Sequence, residues 1–160
     1  MKKLRFLVFT IFVLVSATSC IKSQYEKDIE IIENYIKDYK LDQYNIIEDE
    51  SGIYYVELKK GSGTGTIETD SIVYSYSLRL ANNVEVSFAR EDNPEGSNIS
   101  DLVYGIRLGI LKMKEGGEAV FLIPSHLGYG PYSFYNPNTG TIPPNSVLIF
   151  YINLHKVIRE

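Results

Sequence analysis

Few residues in this chain are equipped for covalent or metal chemistry. His126 and His155 are its only histidines, and both read as surface or sheet-edge imidazoles. No paired carboxylates, no nucleophile beside a base and no ligand set at metal-binding spacing can be traced. The glycine cluster Gly61-Ser62-Gly63-Thr64-Gly65 lacks the Lys-Ser/Thr step and following helix of a phosphate-binding loop. Hydrolase and metal-enzyme chemistry are therefore poor readings. What stands out instead is an aromatic and aliphatic set: Tyr76, Val103, Ile106, Tyr129, Ile142 and Phe150. A tyrosine offers a flat apolar body with a hydroxyl donor. Gathered round one hollow, this set suits a proline ring with its flanking carbonyl. Taken alone, the same residues read more readily as the plain core of an α+β domain.

Hydrophobic periodicity supplies the elements that must carry them. Gln24 to Asp42 reads as a helix, with Ile29, Ile32, Tyr35, Ile36 and Tyr39 on one stripe and charges opposite. From Ile53 the period becomes two. Ile53 to Lys60 is a strand, and Asp70 to Leu80 is the clearest one. There Ile72, Tyr74, Tyr76, Leu78 and Leu80 alternate with Val73, Ser75, Ser77 and Arg79, so one face packs and one meets water. Asn82-Asn83 is a tight-turn signal before a partner strand at Val84 to Phe88. Glu91 to Asn98 reads as loop. Ile99 to Met113 reads as a short helix and its continuation, capped by Asn98 or Ser100. Gly105 and Gly109 weaken it as a free helix, so packing must hold it. Glu118 to Ile123 and Val147 to Val157 are strands, the latter with Leu148, Phe150, Ile152 and Leu154 on one face. This order predicts an α+β fold: an antiparallel sheet curled over a short helix, with an extra N-terminal helix.

The N-terminus reads as a secretory signal over residues 1–19. Lys2, Lys3 and Arg5 precede an apolar run from Phe6 to Val15, and small residues lead to Cys20. The run is shorter than the ~20 residues that span a bilayer. Ala17-Thr18-Ser19-Cys20 is similar to a bacterial lipobox, which implies lipid on Cys20. The single cysteine excludes an intrachain disulfide. Removal of the signal takes the formal charge from −4 to −7, with 13 basic against 20 acidic residues. That balance, with no basic cluster, argues against nucleic acid as partner. Residues 20–50 then form a lipid-anchored helix, docked or acting as a spacer, and 51–160 the main domain.

Five segments resemble the FKBP-type peptidyl-prolyl isomerases. Gly61-Ser62-Gly63 resembles the early glycine turn, and Val73 to Leu80 the strand carrying a pocket tyrosine, here Tyr76. Leu102 to Ile106 with Leu111 to Ala119 resembles the helix and glycine turn. Pro124-Ser125-His126-Leu127-Gly128-Tyr129-Gly130 resembles the family's P-x-x-L-A-Y-G segment. Ile142-Pro143-Pro144 through Phe150 resembles its I-P-P-x-x-x-L-x-F close. The chain departs from the family at two points. Val86-Ser87 stand where Phe-Asp is usual, with Phe88 as a substitute on the same face. Ile106 stands where a Trp often floors the pocket, and the chain has 0 Trp.

The resemblance implies a fold, a site and an activity. The site residues would be Tyr76, Val86, Ser87, Val103, Ile106, Tyr129, Ile142 and Phe150, with no cofactor and no metal. Val86, Val103, Ile106 and Phe150 would seat the proline ring, and Tyr76 would wall the pocket. The Val103 backbone N–H and the Tyr129 hydroxyl would bind peptide carbonyls. The partners would be proline-containing segments of exported proteins, at the membrane face of a bacterial cell envelope. The two departures favour an alternative: a peptide-binding or chaperone lipoprotein without turnover. The long segment 131–141 would cover or reshape the pocket.

Overall fold

The computed structural model describes residues 22–137 and 140–159. The segment expected to be a secretory signal and Cys20 lie outside the described residues. Helix α1 (Gln24–Asp38) starts at a capping box: the Glu26 N–H donates to Ser23 Oγ, and the Ser23 N–H donates to the Glu26 carboxylate. It ends earlier than its apolar stripe suggests. Lys40 takes φ 54°, and a 3-10 turn at Leu41–Gln43 follows.

Seven strands form one sheet among the described residues. They are β1 (Asn45–Glu48), β2 (Tyr54–Lys59), β3 (Ser71–Leu80), β4 (Glu85–Ala89), β5 (Glu95–Asn98), β6 (Glu118–Ile123) and, after a hairpin, β9 (Leu148–Ile158). The order is β1-β2-β6-β9-β3-β4, with β5 also pairing β3. Every pairing is antiparallel. The hairpin β7 (Phe134–Asn136) and β8 (Gly140–Ile142) stands apart as a two-stranded sheet. Three expectations change here. β1 was not expected, the 91–98 loop ends in β5, and the 131–141 loop is built on the β7–β8 hairpin.

The expected helix at 99–113 shrinks to a 3-10 turn at Ile99–Asp101 and α2 (Tyr104–Ile110). Leu102 and Val103 between them are extended, and neither Asn98 nor Ser100 caps α2. The glycines of α2 explain its place. A Cβ at Gly109 would fall 2.5 Å from the Phe121 ring, and one at Gly105 would overlap Ile123. The helix backbone thus lies directly on β6, and packing supplies what glycine withholds from helix propensity.

The sheet has two buried faces. The inner one joins α2, through Ile106 and Ile110, to Ile72, Tyr74, Leu78, Phe121, Leu148, Phe150, Ile152 and Leu154. The outer one joins α1, through Ile32, Tyr35 and Ile36, to Tyr54, Val56, Val120, Leu122 and Ile149. Tyr35 and Tyr151 share a hydroxyl hydrogen bond of 3.0 Å across that seam. The N-terminal helix is therefore docked on the sheet. Alternation along β6 and β9 sends neighbouring residues to opposite cores.

Candidate functional site

At one end of the inner face a cavity of about 180 Å³ remains open. All eight residues singled out by sequence line it: Tyr76, Val86, Ser87, Val103, Ile106, Tyr129, Ile142 and Phe150. They come from six places in the chain, so the topology alone assembles them. Tyr76 reaches in from β3 and Phe150 from β9, their rings stacked at 5.1 Å and 27°. Phe150 continues onto Phe121 at 5.8 Å, which fixes the ring deep in the core. Ile106, at the start of α2, stands where the family often has Trp and is 6% exposed.

A bulge in β4 explains Val86 and Ser87. Ser87 pairs with Leu78 and Glu85 with Arg79, so two steps on β4 match one on β3. That extra residue lets two successive side chains face the cavity. It also sends Phe88 outward, opposite Ser77. Phe88 is 46% exposed beneath the Arg90 guanidinium, 4.1 Å from its ring centre. It does not substitute for the family's phenylalanine. Ser87 Oγ instead lies 2.9 Å from the Tyr76 hydroxyl, so a neutral pair occupies the wall where Asp is usual.

Tyr129 sits in a tight turn after β6. Pro124 is extended, Ser125–Leu127 form a 3-10 turn, and the N–H groups of Gly128 and Gly130 donate to the Ser125 carbonyl at 3.0 and 2.9 Å. The Tyr129 ring stacks on Phe134 of β7 at 4.5 Å and 15°. Its hydroxyl and the Val103 N–H have no hydrogen-bond partner among the described residues. Burial holds the Tyr129 phenol above its ordinary value. Burial does the same to Tyr76, against the lowering pull of the Ser87 hydrogen bond. Both phenols are thus neutral donors at physiological pH.

Sequence reasoning missed several lining residues. Phe134 and Asn136 come from the unexpected hairpin, and Glu95 from the unexpected β5. Asp101 and Leu102 come from the part of the expected helix that is not α-helical. Tyr74 and Leu78 were on the inward face of β3 already and could have been added from alternation alone. Burial pushes the Tyr74 phenol up to about 12. Among the described residues no cluster of His, Cys, Asp and Glu could hold a metal ion.

A sequence model of the FKBP-type peptidyl-prolyl cis-trans isomerases matches residues 64–155, more than half of the chain. The chain belongs to that family. A probable FKBP-type peptidyl-prolyl cis-trans isomerase FkpA of Neisseria meningitidis serogroup B is 31% identical over 108 residues, 67% of this chain and 38% of the relative. The FK506-binding protein of the same organism is 29% identical over 109 residues, 66% of this chain and 96% of that one. Three FkpA relatives are spanned over 38%, 44% and 50% of their own length. The crystal structure of Escherichia coli FkpA superposes with a TM-score of 0.65 at 24% identity, over 98% of this chain and 71% of that one. A Pseudomonas syringae peptidyl-prolyl isomerase gives 0.67 at 20% identity, over 86% and 98%. These likenesses establish an FKBP fold, an antiparallel sheet with its helix, extended here by an N-terminal helix.

Proposed function

We propose that this FKBP is a peptidyl-prolyl cis-trans isomerase that assists the folding of exported proteins, anchored by lipid on Cys20 at a membrane of the bacterial cell envelope. The X–Pro bond turns slowly because amide resonance imposes a barrier of ~18–20 kcal/mol. No covalent step is needed to lower it. The protein has only to bind the twisted amide better than either planar form. Rotation removes resonance and makes the amide less polar, so an apolar hollow favours the twisted state. A gain of about 10⁵ in rate requires ~7 kcal/mol of such preference.

The observation that carries this reading is the open cavity with two unused donors beside it. Val86, Val103, Ile106 and Phe150 would seat the ring. The Tyr129 hydroxyl and the Val103 N–H would take the flanking carbonyls. The volume of about 180 Å³ lies below the ~300 Å³ at which drug-sized pockets begin, which suits one small side chain. The mature chain from Cys20, tested with proline tetrapeptides by protease-coupled and NMR exchange assays, should accelerate isomerisation. Ser87 in place of the family's Asp, together with the absence of Trp, favours a second reading, a lipoprotein that holds prolyl segments without turning them. Binding without turnover would select that reading, and neither binding nor turnover would remove both.

A further inference from the structure

Asp28 is a buried carboxylate that the isomerase reading does not use. It lies on α1, on the far side of the sheet from the cavity, and is 0% exposed. Its Oδ2 accepts from the Ser125 N–H at 2.8 Å and from the Ser125 hydroxyl at 2.6 Å. Its Oδ1 accepts from Gln24 Nε2 at 2.7 Å. Among the described residues it makes no ion pair. A polar group buried this deep is costly unless each of its hydrogen bonds is in place.

Ser125 is the residue on which the Tyr129 turn closes. Its carbonyl receives the Gly128 and Gly130 N–H groups, and the Gly130 carbonyl receives the Asn145 N–H at 2.7 Å. Tyr129 is bracketed between those glycines. A second contact runs the same way: the Tyr25 ring of α1 meets His126 edge-on at 5.6 Å. We infer that Asp28 is a positioning residue: from α1 it clamps the 125–130 turn and so holds Tyr129 over the prolyl cavity. The N-terminal helix is then part of the site. This rests on the reading of Tyr129 as a group that contacts substrate.

A double-mutant cycle on the mature chain separates this role from simple support of the fold. Asp28→Ala should lower kcat/KM about tenfold, about 1.4 kcal/mol. In a Tyr129→Phe background the same change should cost less than about twofold, because the group being positioned is gone. Asp28→Asn keeps an acceptor for Ser125 and should recover most of the loss. Equal losses in both backgrounds would overturn the inference, since a general weakening of the fold is additive. Amide hydrogen exchange provides an arm that needs no activity. Gly128 and Gly130 should lose protection in Asp28→Ala while the amides of β3 and β9 keep theirs. A wild-type protein inactive on all peptides would sink the isomerase reading, and exchange would still decide the clamp. Unchanged protection at the two glycines would refute it.

Discussion

The Tyr129 hydroxyl allows a test in which stability and function separate. It has no partner among the described residues, so Tyr129→Phe breaks no internal hydrogen bond. The ring and its stack on Phe134 at 4.5 Å remain. Stability should therefore stay within about 0.5 kcal/mol of the parent. If the hydroxyl donates to a substrate carbonyl, its loss removes one hydrogen bond of ~0.5–1.5 kcal/mol. That corresponds to a fall in kcat/KM of about 2- to 13-fold. A bond present only in the twisted amide lowers kcat, whereas one made in both states raises KM. Tyr76→Phe is the contrast. Its hydroxyl is paired with Ser87 at 2.9 Å, so the change orphans that serine and should cost about 1 kcal/mol of stability. The assay is NMR exchange on a prolyl tetrapeptide, with urea unfolding run on the same samples. A Tyr129→Phe protein with unaltered kcat/KM, or one that loses stability as Tyr76→Phe does, would refute the assignment.

Three further outcomes follow from packing and charge. Burial pushes the phenols of Tyr55 and Tyr74 up to about 12, and desolvation with Glu48 beside it does the same to Tyr54. Their unfolded value is about 10, so their contribution is intact below about pH 10 and is lost as pH rises towards 12; urea midpoints that hold steady from about pH 9 to 11.5 would contradict this. Gly109→Ala should destabilise although alanine favours helices by up to ~1 kcal/mol, because the new methyl meets the Phe121 ring at 2.5 Å and overpacking costs ~1–3 kcal/mol; a gain in urea stability would show that α2 can lift off β6. Among the described residues Glu95 and Asp101 line the cavity and no Lys, Arg or His does, so peptides with Lys before proline should be turned over a few-fold faster than those with Glu, with Glu95→Gln and high salt narrowing the gap. A preference that is unaffected by salt would remove these carboxylates from the explanation.

Long alternating strands were legible from sequence because period two is independent of what they pair with. Tyr76 and Phe150 could be aimed inward on that ground, and both line the cavity. The turn at Asn82-Asn83 was legible too, since Asn83 takes φ 65°, a region asparagine tolerates. What stayed hidden depends on partners. The bulge in β4 exists only in its pairing with β3, so Phe88 was placed on the wrong face, while Val86 and Ser87 both line the cavity. β5 and the β7–β8 hairpin are short and partly polar, and their strand character comes from β3 and from each other. Glu95, Phe134 and Asn136 were missed with them. The 99–113 segment carries a helical stripe, yet Leu102 and Val103 extend, bringing both to the cavity wall.

The second face of the sheet changes what counts as the functional unit. An FKBP strand whose outer side met water would carry polar residues there. Here Val120 and Leu122 on β6, Ile149 on β9, and Tyr54 and Val56 on β2 all point outward and are buried under α1. A chain cut at residue 51 would put that row into water, a contiguous apolar patch of the kind that drives association. It would also remove β1 from its pairing with β2 and Asp28 from Ser125. The strands that present Phe121 to the inner core and Phe150 to the cavity are the strands that present Val120, Leu122 and Ile149 to the helix. A shift in α1 therefore bears on the pocket through two routes, the shared strands and the Ser125 turn. The docked helix accordingly touches both the strand that carries Phe150, through Ile149, and the turn that carries Tyr129, through Ser125.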